Sequence, residues 1–102
     1  MKKLFISQPM RGKTDAEILQ ERELAVAAAQ KTLGEEVDVL DSFFQAAPAA
    51  AKPLWFLGKS LELLSAADVA YFADGWESYR GCRIERECAV EYGIPIVEDQ
   101  NE

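Results

Sequence analysis

Catalytic chemistry has few residues to draw on in this chain. Its 102 residues include no histidine, which removes the commonest general base and leaves carboxylates, Ser, Tyr or Cys to do any such work. The segment Gly81-Cys82-Arg83-Ile84-Glu85-Arg86-Glu87-Cys88-Ala89-Val90-Glu91-Tyr92-Gly93 contains one residue out of place. At about 100° per residue on a helix, Gly81, Cys82, Ile84, Cys88, Ala89 and Tyr92 share an arc, and Arg83, Arg86, Glu87 and Glu91 take the opposite one. Val90 is a stray apolar residue, and Glu85 is a stray charge near the middle of the apolar arc, within the first turn or so. An unpaired buried carboxylate is strongly disfavoured. Glu85 therefore has either a structural task, capping amides or pairing with Arg83 or Arg86, or a catalytic one, and the segment leaves both open.

A second cluster is cationic. Arg11, Lys13, Arg80, Arg83 and Arg86 are five of the eleven basic residues in a chain of net charge −7, and a phosphate or other anion is a reasonable guest for them. Met10-Arg11-Gly12-Lys13 is neither a Walker loop nor a dinucleotide fingerprint, and by itself reads as a solvated loop. Trp76 and Tyr79 either stack on a base or cover the end of a sheet. Phe43, Phe44, Trp55 and Phe56 read as core or subunit interface. With so acidic a balance, neither nucleic acid nor an anionic membrane is expected as the main partner.

Cys82 and Cys88 lie six apart on one helix, a spacing that fits neither a disulfide nor a metal knuckle. Reduced thiols and a cytoplasmic location are expected, with no metal and no cofactor. Met1-Lys2-Lys3 precedes an apolar run too short for a signal peptide, and nothing approaches a membrane span.

The elements that position these groups alternate. Lys2 to Ser7 reads as a strand that stops at Gln8-Pro9. Thr14-Asp15-Ala16-Glu17 is a capping box opening a helix that carries Ile18, Arg22, Ala25, Ala29 and Leu33 on one face and ends at Gly34. Glu36 to Leu40 is a second strand, Pro53 to Ser65 a helix started by proline, Asp68 to Phe72 a third strand, Asp74 to Arg80 a loop before the Glu85 helix, and Ile94 to Val97 a fourth strand. The tail from Glu98 to Glu102 is expected to fray. This order predicts an α/β fold, a Rossmann-like or flavodoxin-like three-layer sandwich on a small parallel sheet of about four strands, in one domain over residues 1–102. Ligands of such sheets bind at the carboxyl ends of the strands, where the order reverses. That brings the loops Gln8–Lys13 and Asp74–Arg80 side by side, with Glu85 beneath.

The segment from Gly81 to Glu85, with Ala89 and Gly93-Ile94-Pro95, resembles the Gly-Thr-x-x-Glu-x-Gly-x-Ala-x-x-x-Gly-Lys-Pro segment of nucleoside 2-deoxyribosyltransferases. Leu4-Phe5-Ile6-Ser7-Gln8-Pro9-Met10-Arg11-Gly12 is similar to their first strand and sugar-binding loop, and to the Ser-Ile-Arg-Gly-Gly loop of deoxynucleoside 5'-phosphate N-hydrolases. Ala67-Asp68-Val69 and Asp74-Gly75 match the third strand and its exit. The resemblance covers nearly the whole chain. It implies that Glu85 is the nucleophile on the anomeric carbon of a 2'-deoxyribonucleoside, and that Arg11 and Gly12 belong to a sugar-phosphate loop. Three positions depart from the pattern: Ser60 and Tyr79 stand where acidic or small polar residues are usual, and Glu87 where a small residue is. Asp74 is left as the candidate proton donor.

Expected to meet the substrate, a nucleoside or nucleotide, are Gln8, Met10, Arg11, Gly12, Trp76, Ser78, Arg80 and Gly81, around catalytic Glu85 and Asp74. An ionised nucleophile requires the helix N-terminus and Arg83 to hold Glu85 low against desolvation. The main reading is cleavage or transfer of an N-glycosidic bond, with hydrolysis favoured because Arg11 suits a 5'-phosphate. The alternatives are a catalytically inactive nucleotide-binding module and a plain oligomerisation domain. A homo-oligomer is expected from the aromatic cluster in the crossover between the second and third strands.

Overall fold

The computed structural model describes residues 1–98. Its elements are β1 (Lys2–Ser7), α1 (Asp15–Leu33), β2 (Val37–Val39), α2 (Pro53–Ser65), β3 (Val69–Phe72), a 3-10 turn at Trp76–Ser78, α3 (Arg80–Glu91) and β4 (Ile96–Glu98). The four strands form one parallel sheet in the order β2-β1-β3-β4. This is the α/β, Rossmann-like or flavodoxin-like sandwich that alternating elements predict, with its order reversing between β1 and β3. Ser7 pairs with Phe72 at the tips of those strands. Among the described residues no helix is long and apolar enough to cross a membrane.

Side chains alternate across a strand, and β1 distributes its residues between two cores accordingly. Leu4 and Ile6 face α1, where Ala25 and Ala29 let the helix lie close to Val37, Val69, Tyr71 and Val97. Phe5 faces the other layer and packs with Ala70, Phe72, Leu64 of α2 and Ala89 of α3. Ser7 continues the Phe5 phase, so a hydroxyl ends the strand on the α2 and α3 side.

Local signals set the helix ends. The Thr14 hydroxyl accepts from the Glu17 amide at 3.1 Å and the Glu17 carboxylate accepts from the Thr14 amide at 3.0 Å, a reciprocal cap worth about 1 kcal/mol. Gly34 closes α1 in the left-handed region at φ 71°, where a side chain would be strained. Pro53 occupies the start of α2.

Several boundaries shift from expectation: β2 is Val37–Val39 rather than Glu36–Leu40, and β3 starts at Val69 rather than Asp68. β4 begins at Ile96 rather than Ile94, because the Ile94 amide is used on Ala89 O at 2.9 Å as α3 closes and Pro95 has no amide to donate. α3 stops at Glu91, so Tyr92 leaves the helical phase and is 82% exposed instead of facing inward. Glu98, expected to fray with the tail, is instead the last residue of β4, paired beside Phe72; residues 99–102 lie outside the described residues.

Candidate active site

A cleft of about 990 Å³ opens at the carboxyl end of β1, between the segment after β2, α2 and the start of α3. Glu85 lies in its lining at the sixth position of α3, pointing toward β1 and 8% exposed. Ser7 Oγ donates to Glu85 Oε1 at 2.6 Å, and the Ser60 hydroxyl of α2 acts on the same carboxylate. One polar side chain from each of three elements thus converges on one point. Ser60 reaches it because it shares the buried stripe of α2 with Leu64, one turn away.

Burial pushes the Glu85 carboxyl above its ordinary value, and the two hydroxyls only partly oppose it. This reverses the expectation that the helix terminus and Arg83 would hold it low. Glu85 sits in the second turn, beyond the reach of most of the dipole effect. Arg83 is exposed and donates instead to Glu77 O at 2.9 Å. The Arg86 guanidinium lies over the Trp76 ring at 4.5 Å and the Phe72 ring at 5.6 Å.

Cys82, one turn before Glu85, is buried in the same lining. Burial raises its thiol and the Glu85 charge adds to the rise, against Ser7 and Arg83. It is therefore a neutral thiol at neutral pH, not a nucleophile.

Of the residues expected from sequence, Gln8, Met10, Arg11, Ser78, Arg80 and Gly81 join Glu85 in the lining. Gly12, Asp74 and Trp76 fall outside it. Gly12 makes the turn after Arg11 at φ 80°, and Asp74, expected as the proton donor, is exposed on its loop. Trp76 packs edge-on against Phe72 at 6.0 Å beneath Arg86, which is the sheet-covering alternative for this ring. Gln8 reaches the lining, but its amide is engaged behind it: Oε1 accepts from Arg22 at 3.0 Å and Nε2 donates to Ile18 O at 3.3 Å.

The lining also contains residues that the sequence reading did not assign to it. Phe43, Phe44 and Phe56 contribute aromatic wall, where core or subunit interface was expected. Trp55 backs this wall, with its ring 6.0 Å from Phe44 and 5.1 Å from Phe56 in edge-to-face contacts. Asp41-Ser42-Phe43-Phe44 directly follows β2 at the ligand end of the sheet, and that position was the available signal. Ser7 and Ser60 carried a signal too, each a small polar residue on an otherwise buried stripe. Tyr79, at the start of α3, also lines the cleft.

The fold that carries this cleft, with its buried carboxylate, exposed cations and aromatic wall, has a counterpart among solved structures. The crystal structure of a conserved protein from Enterococcus faecalis V583 is similar, with a TM-score of 0.67 and 19% identity over 96% of this chain and 62% of that one. At that identity the likeness shows the fold alone, and this chain spans less than two thirds of that protein's length. The comparison with curated proteins gives no match. A family model described as Domain of unknown function (DUF4406) matches residues 2–98, and the chain belongs to that family.

Proposed function

We propose that the cleft binds a 2'-deoxyribonucleoside or its 5'-monophosphate and cleaves, or transfers, the N-glycosidic bond with Glu85 as nucleophile. The observation that carries this reading is the buried Glu85 carboxylate, held by Ser7 in a cleft whose wall combines exposed Arg11, Arg80 and Arg83 with Phe43, Phe44 and Phe56. Such a wall suits a ligand with a flat apolar ring and an anionic group. The resemblance of the Gly81–Glu85 and Leu4–Gly12 segments to nucleoside 2-deoxyribosyltransferases supports the same assignment.

In this mechanism Glu85 attacks the anomeric carbon through an oxocarbenium-like transition state, the bond to the base breaks, and a covalent sugar ester forms. Water or a second base then displaces Glu85 from the sugar. Only the ionised carboxylate attacks, so activity rises with pH through the elevated Glu85 titration. Arg11 holds the 5'-phosphate in a charge-assisted contact worth about 1.5–3 kcal/mol, which favours hydrolysis of nucleotides over transfer between nucleosides.

The test is incubation with the four deoxynucleoside monophosphates and chromatography for free base. Wild type should release base, and Glu85→Gln should lower turnover by several orders of magnitude while keeping nucleotide affinity. The exposed position of Asp74, outside the lining, favours a second reading, an inactive nucleotide-binding module. Wild type and Glu85→Gln that bind nucleotide equally and release no base would establish it. Self-association is part of the proposal, with Leu54 79% exposed beside the aromatic wall, and a monomer mass by light scattering at micromolar concentration removes it.

A further inference from the structure

Arg22 is a buried charge that the proposed chemistry does not use. It lies mid-way along α1 on the stripe that carries Ile18, Ala25 and Ala29 inward, and is 8% exposed. One guanidinium nitrogen donates to Gln8 Oε1 at 3.0 Å and to Ser42 Oγ at 3.1 Å, and the other donates to Leu40 O at 3.2 Å. Ser42 Oγ in turn donates to Ile6 O at 2.9 Å. Every one of these acceptors is uncharged. Among the described residues no carboxylate forms an ion pair with Arg22; exposed Asp41 acts on it only through its field.

A guanidinium stays protonated even when buried, and its neutral acceptors leave its desolvation cost without the Coulombic offset a carboxylate would supply. Two of its partners, Gln8 and Ser42, line the cleft. The charge therefore stands one side chain behind the wall, where salt screens it far less than it screens exposed Arg11, Arg80 and Arg83.

We propose that Arg22 is the anion-selecting residue of the cleft, a positioning residue that fixes Gln8 and Ser42 in the wall and gives the site a permanent positive potential favouring a phosphate-bearing ligand over its uncharged counterpart. This rests on the nucleotide reading above. It divides the cationic groups into two kinds: exposed arginines whose effect fades with salt, and a buried one whose effect persists.

Calorimetry with the four deoxynucleoside 5'-monophosphates and the matching nucleosides, at low salt and at about 1 M salt, tests it. Wild type should keep a nucleotide preference at high salt. Arg22→Gln, which retains hydrogen-bonding capacity without charge, should lose about tenfold of that preference, with nucleotide affinity falling further than nucleoside affinity. Equal loss for nucleotide and nucleoside would mean a purely structural role, and an unchanged preference would mean no role; either overturns the proposal. Should Arg22→Gln not fold, Arg22→Met, an apolar side chain of similar length on the same buried stripe, decides, since a folded methionine variant that keeps the nucleotide preference at high salt is equally fatal. Wild type that binds neither ligand removes the nucleotide reading itself, a result distinct from wild type that binds nucleotide with a preference indifferent to Arg22.

Discussion

Ser7 and Gln8 are neighbours at the tip of β1, and they serve two buried charges on opposite faces of the sheet. Ser7 meets Glu85 on the α3 side at 2.6 Å, and Gln8 meets Arg22 on the α1 side at 3.0 Å. Both charges are 8% exposed, and desolvation shifts both toward neutrality, the carboxyl upward and the guanidinium downward. The same physical effect has unequal consequences. A carboxyl shifted upward moves toward working pH, whereas an arginine starts so high that it stays charged. Glu85 also lies in the cleft lining, while Arg22 is spread over three acceptors behind it. Burial yields reactivity only where the group titrates near working pH and a ligand can reach it.

The contrast can be broken most forcefully at Glu85. Beyond the loss of turnover, Glu85→Gln should raise the melting temperature at neutral pH by a few degrees. The folded-state carboxyl lies above its ordinary 4.5, so the stability it contributes is full below the unfolded value and is lost as pH rises through the folded one. The advantage of the glutamine variant should therefore vanish in acid, and melting curves across pH check it. A variant advantage that persisted unchanged in acid would mean that Glu85 is not desolvated in solution.

The paired substitutions at the strand tip sharpen the comparison. Gln8→Ala leaves the Arg22 guanidinium short of an acceptor and should destabilise the fold by about 1–3 kcal/mol, read by denaturant unfolding, with the Glu85 titration unmoved. Ser7→Ala removes the hydrogen bond that opposes the rise in Glu85, so that titration should move further up. The acid limb of the pH–rate profile, or carbon-13 NMR of labelled glutamate, should shift alkaline. Equivalent behaviour of the two alanine variants would erase the distinction between the faces. The smallest effect belongs to Thr14→Ala, which breaks the α1 cap away from both charges and should cost about 1 kcal/mol without altering either titration or ligand preference.

Much of this architecture was readable from local signals. The Thr14–Glu17 cap, Gly34 and Pro53 mark helix ends where the structure has them, since each acts through its own few neighbours. The helical phase of residues 81–92 singled out Glu85 correctly as an inward charge. Its partners were not readable, because Ser7 is 78 residues away in sequence and Ser60 comes from another helix. The direction of its titration is hidden for the same reason: Arg83 is near in sequence but turns to Glu77 O, whereas burial between three elements raises the carboxyl. Phe43, Phe44 and Phe56 line the cleft, a place that aromatic content by itself does not distinguish from a core or a subunit interface.

The pairing of β1 with β3 has a consequence for how the protein comes into being. Leu4 takes its partner at Val69 and Ser7 reaches its carboxylate 78 residues later. At translation rates of about 5–20 residues per second, that interval lasts about 4–16 s. Until Val69–Phe72 are made, late in that interval, Leu4, Phe5 and Ile6, which end fully enclosed, lack the β3 side of their sheet. A nascent chain halted before Glu85 leaves Ser7 without its carboxylate, because the strand that begins the site is completed by the helix that ends it.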